Sequence, residues 1–323
     1  TPPLHFFVLI PPFYYKYGQI LIFVNTLFGQ EKLPLIIIHG GASPIDPKGE
    51  ALNEALASIQ NMADACMKDL INGASAIKIV VKCLQMLEND ERFNAGIGSA
   101  LQSDGLPRLT SSIMDGSKQN LSGVISVPYL SNPSKLAEKL QKRNAKILTS
   151  PGAELLAREM KLPISSNLTE NRSKRWLNKM EQNDFPTSVG FECDTVGCVI
   201  IDNKGKLASG SSTGGVGNEF PGRVSDSGTV AGNFASRYAA ITVTGKGEQI
   251  NNDAVASKTE TRIRDGMNLA DAFTKTFKEA KSRKHSYGLI GLDSKANYGI
   301  AHTTNSMPYV IYGANGLIAK FEN

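Results

Sequence analysis

One stretch constrains this chain more than any other: Asp194-Thr195-Val196-Gly197-Cys198-Val199-Ile200-Ile201-Asp202. It is an apolar, β-rich run of strand length, opened by a threonine and preceded by a long polar segment. A threonine hydroxyl is a weak nucleophile unless a base sits beside it. Scission of the chain in front of Thr195 would supply that base, because an α-amino group titrates at about 7.7–8.0 and takes a proton near neutrality. The strand would hold such a nucleophile rigidly, and the polar segment before it would leave room for the cut.

The surrounding pattern gives the nucleophile a frame. Asp202-Asn203-Lys204-Gly205 is a strong turn signal, so Thr195–Ile201 and Lys206–Ser212 are expected as a hairpin. A buried strand is expected at Leu33–Ile38, ended by His39-Gly40-Gly41-Ala42. Helices are expected at about Glu50–Ile71, Ala74–Glu88, Pro133–Lys142, Gly152–Met160, Asp253–Arg264 and Leu269–Lys281. Further strands are expected near Arg108–Met114, Gly123–Val127, Ala239–Thr244, Tyr287–Leu292, Asn297–Ala301 and Tyr309–Tyr312. Grouped strands with paired helices between them predict two packed sheets covered by helices. Lys161–Cys193 is polar and irregular and reads as a flexible linker inside a single domain spanning residues 33–323.

Composition narrows the function classes. The chain has 323 residues, 41% hydrophobic and 20% charged, which is ordinary for a globular protein. Its net charge of +5 is scattered, without the basic stripe of a nucleic-acid binder. Cys66, Cys83, Cys193 and Cys198 have neither metal-site spacing nor scaffold density and read as buried small residues. Leu4–Phe28 is aromatic and apolar but broken by Pro11-Pro12, Lys16 and Gly18, so it fits neither a spanning helix nor a clean signal peptide. Residues 1–32 are therefore set apart as an extension. The expected compartment is the cytoplasm, with a truncated signal or anchor as the alternative.

Four clusters carry chemistry. Ser211-Ser212-Thr213-Gly214-Gly215 closes the hairpin and brings Thr213 toward Thr195. Gly210–Gly214 also satisfies G-x-S-x-G, but glycines and Pro221 follow instead of the helix that a nucleophile elbow needs. Pro221-Gly222-Arg223-Val224-Ser225-Asp226 sets a guanidinium three residues from a carboxylate, complementary to the carboxylate and amine of one amino acid, or paired internally. Thr244-Gly245-Lys246-Gly247-Glu248 ends a strand with exposed backbone N–H groups, suited to an oxyanion hole or to a tight turn. Asn94, beside Gly96 and Gly98, offers a side-chain amide near the reacting centre or simply shapes a turn.

Taken as an ordered set, these segments resemble the plant-type asparaginase and isoaspartyl peptidase family of N-terminal-nucleophile hydrolases, from about Leu35 to the C-terminus. The matching motifs are Ile38–Ala42, Leu87-Glu88 with Phe93–Gly98, Thr195-Val196-Gly197, Ser212–Gly215, Gly222-Arg223-Val224 with Asp226-Ser227, and Thr244–Glu248. The resemblance implies an α+β fold, a four-layer αββα sandwich made as a precursor that cuts itself between Asp194 and Thr195. It implies Thr195 as nucleophile, Thr213 as its hydrogen-bond partner, Thr244 and Gly245 as the oxyanion hole, and Asn94 as an accessory donor. Arg223 and Asp226 would hold the α-carboxylate and α-amine of an aspartyl group, with Gly247 lining the pocket.

The same resemblance implies a sodium ion bound by the carbonyls of Leu87, Glu88, Asp90, Phe93, Ala95 and Ile97, no catalytic cofactor, and a homodimer of αβ units. Substrates would be L-asparagine or isoaspartyl dipeptides, with glycosylated asparagine as the alternative and a non-catalytic, uncleaved binding protein as a remoter one. The sequence departs from the family at Asp194, Ser225 and Gly228, where glycine, glycine and proline are usual. The segment Asp226–Thr244 is also two residues short, which leaves substrate preference open.

Overall fold

The computed structural model describes residues 25–42, 49–181 and 195–321. Asp194 and Cys193, and with them the bond in front of Thr195, lie outside the described residues. The first half of the chain runs β1 (Asn25–Gln30), β2 (Leu35–His39), α1 (Glu50–Ile71), α2 (Ala76–Glu88), β3 (Leu109–Asp115), β4 (Asn120–Val127), α3 (Pro133–Leu140), β5 (Ile147–Thr149), α4 (Ser150–Glu159) and α5 (Glu170–Glu181). The second half runs β6 (Val196–Ile201), β7 (Leu207–Thr213), β8 (Asn233–Ala235), β9 (Ala239–Gly245), α6 (Gly247–Asp253), α7 (Val255–Arg264), α8 (Leu269–Ser282), β10 (Tyr287–Asp293), β11 (Asn297–His302), β12 (Tyr309–Gly313) and β13 (Gly316–Lys320).

The strands form two sheets, ordered β13-β12-β2-β6-β7-β3-β4-β5 and β1-β11-β10-β9-β8. β9 and β10 pack across β6 and β7, so the sheets lie face to face. α1 and α2 cover the outer face of the larger sheet, and α7 and α8 cover that of the smaller. The result is the four-layer αββα sandwich.

α1 and α8 are each seated by a buried stripe. α1 buries Leu52, Leu56, Ile59, Ala63, Cys66, Met67 and Leu70 at helical spacing. α8 buries Phe273, Phe277 and Ala280, and its N-cap Asn268 accepts from the Asp271 N–H at 2.9 Å. β2 and β6 are buried at every residue, because helices cover one face and the second sheet the other.

Two expectations need correcting. The extension set apart as residues 1–32 contributes β1, which pairs antiparallel with β11 from Asn25↔His302 to Gln30↔Asn297. Its aromatic, Gly-containing sequence reads as an interruption until a partner edge is available to it. Within the expected irregular linker, Glu170–Glu181 forms α5. That helix is very polar, yet its Arg172 is buried and donates through Nε to the Gly98 carbonyl at 2.6 Å. Trp176 Nε1 donates to the Gln102 carbonyl at 2.9 Å. Among the described residues, no helix is long and apolar enough to cross a membrane.

Candidate active site

The β6–β7 hairpin positions Thr195. Its turn is held by Asp202, whose Oδ1 accepts from the Lys204 and Lys206 N–H groups at 2.9 and 3.0 Å. Gly205 takes the positive φ (69°) that this tight connection needs. The register pairs Val196 with Ser212, which carried one residue further sets Thr195 opposite Thr213. Thr195 is buried, with its Oγ1 3.4 Å from the Ser227 hydroxyl. The Thr213 Oγ1 accepts from the Gly215 N–H at 3.1 Å.

A second cluster closes beside it. Ser225, Asp226 and Ser227 form a tight turn pinned from β3 and β7: the Ser227 carbonyl accepts from the Ser112 hydroxyl at 2.5 Å and the Ser211 hydroxyl at 3.1 Å. Asp226 is buried, with Oδ2 unpartnered among the described residues. A Cβ placed on Gly247 would stand 2.7 Å from Arg223 Nη2 and 2.7 Å from Asp226 Oδ1. The guanidinium and the carboxylate therefore converge over Gly247, which has no side chain to fill the space. Burial raises the Asp226 pKa to about 6, with Arg223 pulling the other way. Arg223 Nε also donates to Glu248 Oε1 at 2.8 Å.

The end of β9 borders the same cluster. Thr244 is fully buried and its Oγ1 accepts from the Ala42 N–H at 3.1 Å, tying β9 to the loop after β2. Gly245 has φ 137°, and a Cβ there would lie 2.6 Å from the Tyr287 Cα, so only glycine fits at this crossing.

Thr195 thus stands at the start of β6, and the Arg223–Asp226 pair lies over Gly247. Comparison with known proteins decides the family: the asparaginase profile matches residues 32–319. The chain belongs to the asparaginase family. It is 44% identical over 274 residues to an isoaspartyl peptidase/L-asparaginase of Synechocystis sp., covering 82% of this chain and 83% of that protein. A protein of the same name from Nostoc sp. is 42% identical over 283 residues, covering 83% and 87%. The human isoaspartyl peptidase/L-asparaginase is 32% identical over 286 residues, covering 85% and 92%. As a member of this family, the chain is an N-terminal-nucleophile hydrolase by descent.

The Asn94 side chain ties its loop to the segment after β7, donating to the Gly215 carbonyl at 2.6 Å and accepting from the Ala100 N–H at 2.8 Å. In the segment expected to hold sodium, the carbonyls of Leu87, Asp90 and Ala95 each accept one backbone N–H. Those of Glu88 and Phe93 press on Gly96 and Gly98, where a Cβ would stand 2.0 and 2.1 Å away. These neutral oxygen donors suit a hard cation. The Glu88 side chain points elsewhere, accepting from Ser134, Ser212 and Asn132, and burial raises its pKa to about 7.

Three residues near Thr195 escaped the sequence reading of the site. His39, which in the sequence only marks the end of the first buried strand, lies fully buried beside the Thr195 backbone, and burial drives its pKa down to about 3, leaving the ring neutral. Ser227 contacts Thr195, and Ser225 contacts both Asp226 and Ser227, at 3.2 and 3.3 Å. The serines stand inside the recognised arginine–aspartate motif, which was the signal available for them.

Proposed function

We propose that the chain cuts itself in front of Thr195 and that the mature protein hydrolyses β-aspartyl amides, L-asparagine and isoaspartyl dipeptides, releasing L-aspartate. The observation that carries this reading is the convergence of Arg223 Nη2 and Asp226 Oδ1 on Gly247, next to the turn that contacts Thr195. A fork and a carboxylate held that way match the α-carboxylate and α-ammonium of one aspartyl group and leave its β-carbonyl for the nucleophile. The family relatives named above, isoaspartyl peptidase/L-asparaginases, support the same substrate class.

In this mechanism the freed α-amine of Thr195 takes the proton from its own hydroxyl, and Oγ1 attacks the β-carbonyl carbon. Thr244 and the Gly245 N–H stabilise the oxyanion, a contribution worth about 10²–10³ in turnover per donor. The amine or ammonia leaves with the proton, and water then releases aspartate from the acyl-enzyme. A structural sodium ion on the carbonyls of Leu87, Glu88, Asp90, Phe93, Ala95 and Ile97 would brace the loop next to Gly214, and an (αβ)₂ dimer is the expected assembly.

The test is direct. Purified protein is expected to show two bands on a denaturing gel and to liberate aspartate from asparagine and β-aspartyl dipeptides, while Thr195→Ala shows one band and no turnover. A protein that prefers glycosylated asparagine, or an uncut protein with undiminished hydrolysis, contradicts the reading.

A further inference from the structure

Before the chain is cut, the nitrogen of Thr195 belongs to a peptide bond, and its lone pair is delocalised into the carbonyl. It cannot then serve as the base, so the first attack needs another proton acceptor. The described surroundings of Thr195 offer a continuous path. Its Oγ1 lies 3.4 Å from Ser227 Oγ, Ser227 Oγ lies 3.3 Å from Ser225 Oγ, and Ser225 Oγ lies 3.2 Å from Asp226 Oδ1. All four residues are buried, so bulk water does not short-circuit the path. As they stand, Ser225 Oγ donates to Ser227 Oγ and Ser227 Oγ to Thr195 Oγ1; a hydroxyl carries one donor and two acceptor sites and turns about its C–O bond, so the path conducts in the other direction once these two hydroxyls rotate.

We propose that Ser227, Ser225 and Asp226 form a hydroxyl relay that accepts the Thr195 hydroxyl proton during self-cleavage. The inference rests on the reading of Thr195 as a self-liberated nucleophile. As Oγ1 bonds to the carbonyl carbon of residue 194, its proton passes to Ser227 Oγ, that of Ser227 to Ser225 Oγ, and that of Ser225 to the Asp226 carboxylate. When the tetrahedral adduct collapses, the bond from carbon to the Thr195 nitrogen breaks. The nitrogen takes its proton from Ser227 Oγ, which is resupplied from Asp226 through Ser225, leaving an ester and a free amine. Water then hydrolyses the ester to a carboxylate at residue 194 and the restored Thr195 hydroxyl.

The arrangement is held, not incidental. The Ser227 N–H donates to Ser225 Oγ at 3.3 Å, and the Ser227 carbonyl is fixed by Ser112 and Ser211. Asp226 is suited to the end of the path because its pKa is raised to about 6, nearer to a usable base than an ordinary aspartate. The charged groups that face it are Arg223 from its own loop and Glu248 from α6. His39 is the other basic group near Thr195, but it abuts the backbone and is too weakly basic.

Full-length precursor made by cell-free translation provides the test, with self-cleavage followed on denaturing gels from pH 4.5 to 8.5. Wild-type cleavage is expected to rise about tenfold per pH unit and level off above about 6. Loss of a positioned base typically costs about 10²–10⁴ in rate, so Ser225→Ala should slow cleavage at least about a hundredfold and abolish that inflection. Ser225→Thr, which keeps the hydroxyl, should restore both. Wild-type rate and inflection in Ser225→Ala overturn the relay, as does an inflection that persists there but disappears in Asp194→Asn. Equal slowing of the Ala and Thr variants with lowered melting temperatures also overturns it, marking a packing role. A wild-type precursor that stays intact at every pH sinks the proposed function itself, whereas cleavage indifferent to Ser225 sinks only the relay.

Discussion

The Ala76 N–H donates to the Asp202 carboxylate at 3.1 Å, across 126 residues of chain. α2 has no capping side chain of its own at Ser75, so Asp202 satisfies one of its orphan donors from the turn of the β6–β7 hairpin. The same carboxylate holds that turn through Lys204 and Lys206. One residue thus sets both the seat of α2 and the register that brings Thr195 opposite Thr213. Asp202→Ala removes a cap and two turn bonds and is expected to cost about 2–3 kcal/mol, measured by urea unfolding.

Gly247 tests the amino-acid pocket without touching the nucleophile. It opens α6, where alanine is a better helix former than glycine, so Gly247→Ala should fold normally. Its methyl group would occupy the space between Arg223 Nη2 and Asp226 Oδ1. Overfilling a packed site costs about 1–3 kcal/mol of stability, so the melting temperature should fall modestly, and KM for β-aspartyl substrates should rise because the displaced pair no longer fits the amino-acid group. Steady-state kinetics beside a thermal melt separates the two effects.

Asp226 links pH to both stability and binding. Burial, partly countered by Arg223, raises its folded-state pKa to about 6, above the reference of roughly 3.9 expected in the unfolded chain. The folded protein therefore holds the proton more tightly between about pH 4 and 6, and stability falls as pH rises through that window. Asp226→Asn should relieve roughly 3 kcal/mol at pH 8 and nothing at pH 4, seen as a higher melting temperature only at the upper pH. Substrate binding moves oppositely, since an ammonium needs the ionised carboxylate. Wild-type kcat/KM should fall about tenfold per unit below about pH 6.

The legible parts of the fold were those written in local chemistry. The Asp202–Gly205 turn and the apolar alternation around it announced the hairpin, and helical periodicity announced α1, α2 and α8. β1 was hidden because its meaning depends on β11, about 270 residues away, and not on its own composition. α5 was hidden because a helix with so few apolar residues lacks the stripe that periodicity detects; it is anchored instead by Arg172 and Trp176 on distant carbonyls. The site followed the same rule. Thr195, Arg223, Asp226 and Gly247 stood in recognisable motifs, whereas the contact of Ser227 with Thr195 and the burial of His39 exist only once β2, β6 and the Ser225–Ser227 turn are packed together.

The seat of Thr195 also depends on an absence of bulk two residues along β6. A Cβ on Gly197 would stand 2.5 Å from His39 Nε2 and 2.6 Å from Thr242 Oγ1, two fully buried groups that reach the inter-sheet space from opposite sheets. Neither side can yield cheaply: His39 is on β2, paired with Gly197 itself, and Thr242 is on β9, between strands on both sides. Gly197→Ala should therefore cost about 1–3 kcal/mol and displace the start of β6, slowing self-cleavage as well as lowering the melting temperature. His39→Ala alone opens a void and destabilises as well, but in the double variant the new methyl group has the space that the imidazole vacates. The double-mutant cycle should accordingly show a favourable coupling of about 1 kcal/mol or more, because residues in direct contact do not add independently. Additive losses would mean that the strain lies with Thr242 instead, and Thr242→Ala in the Gly197→Ala background would then restore both stability and cleavage.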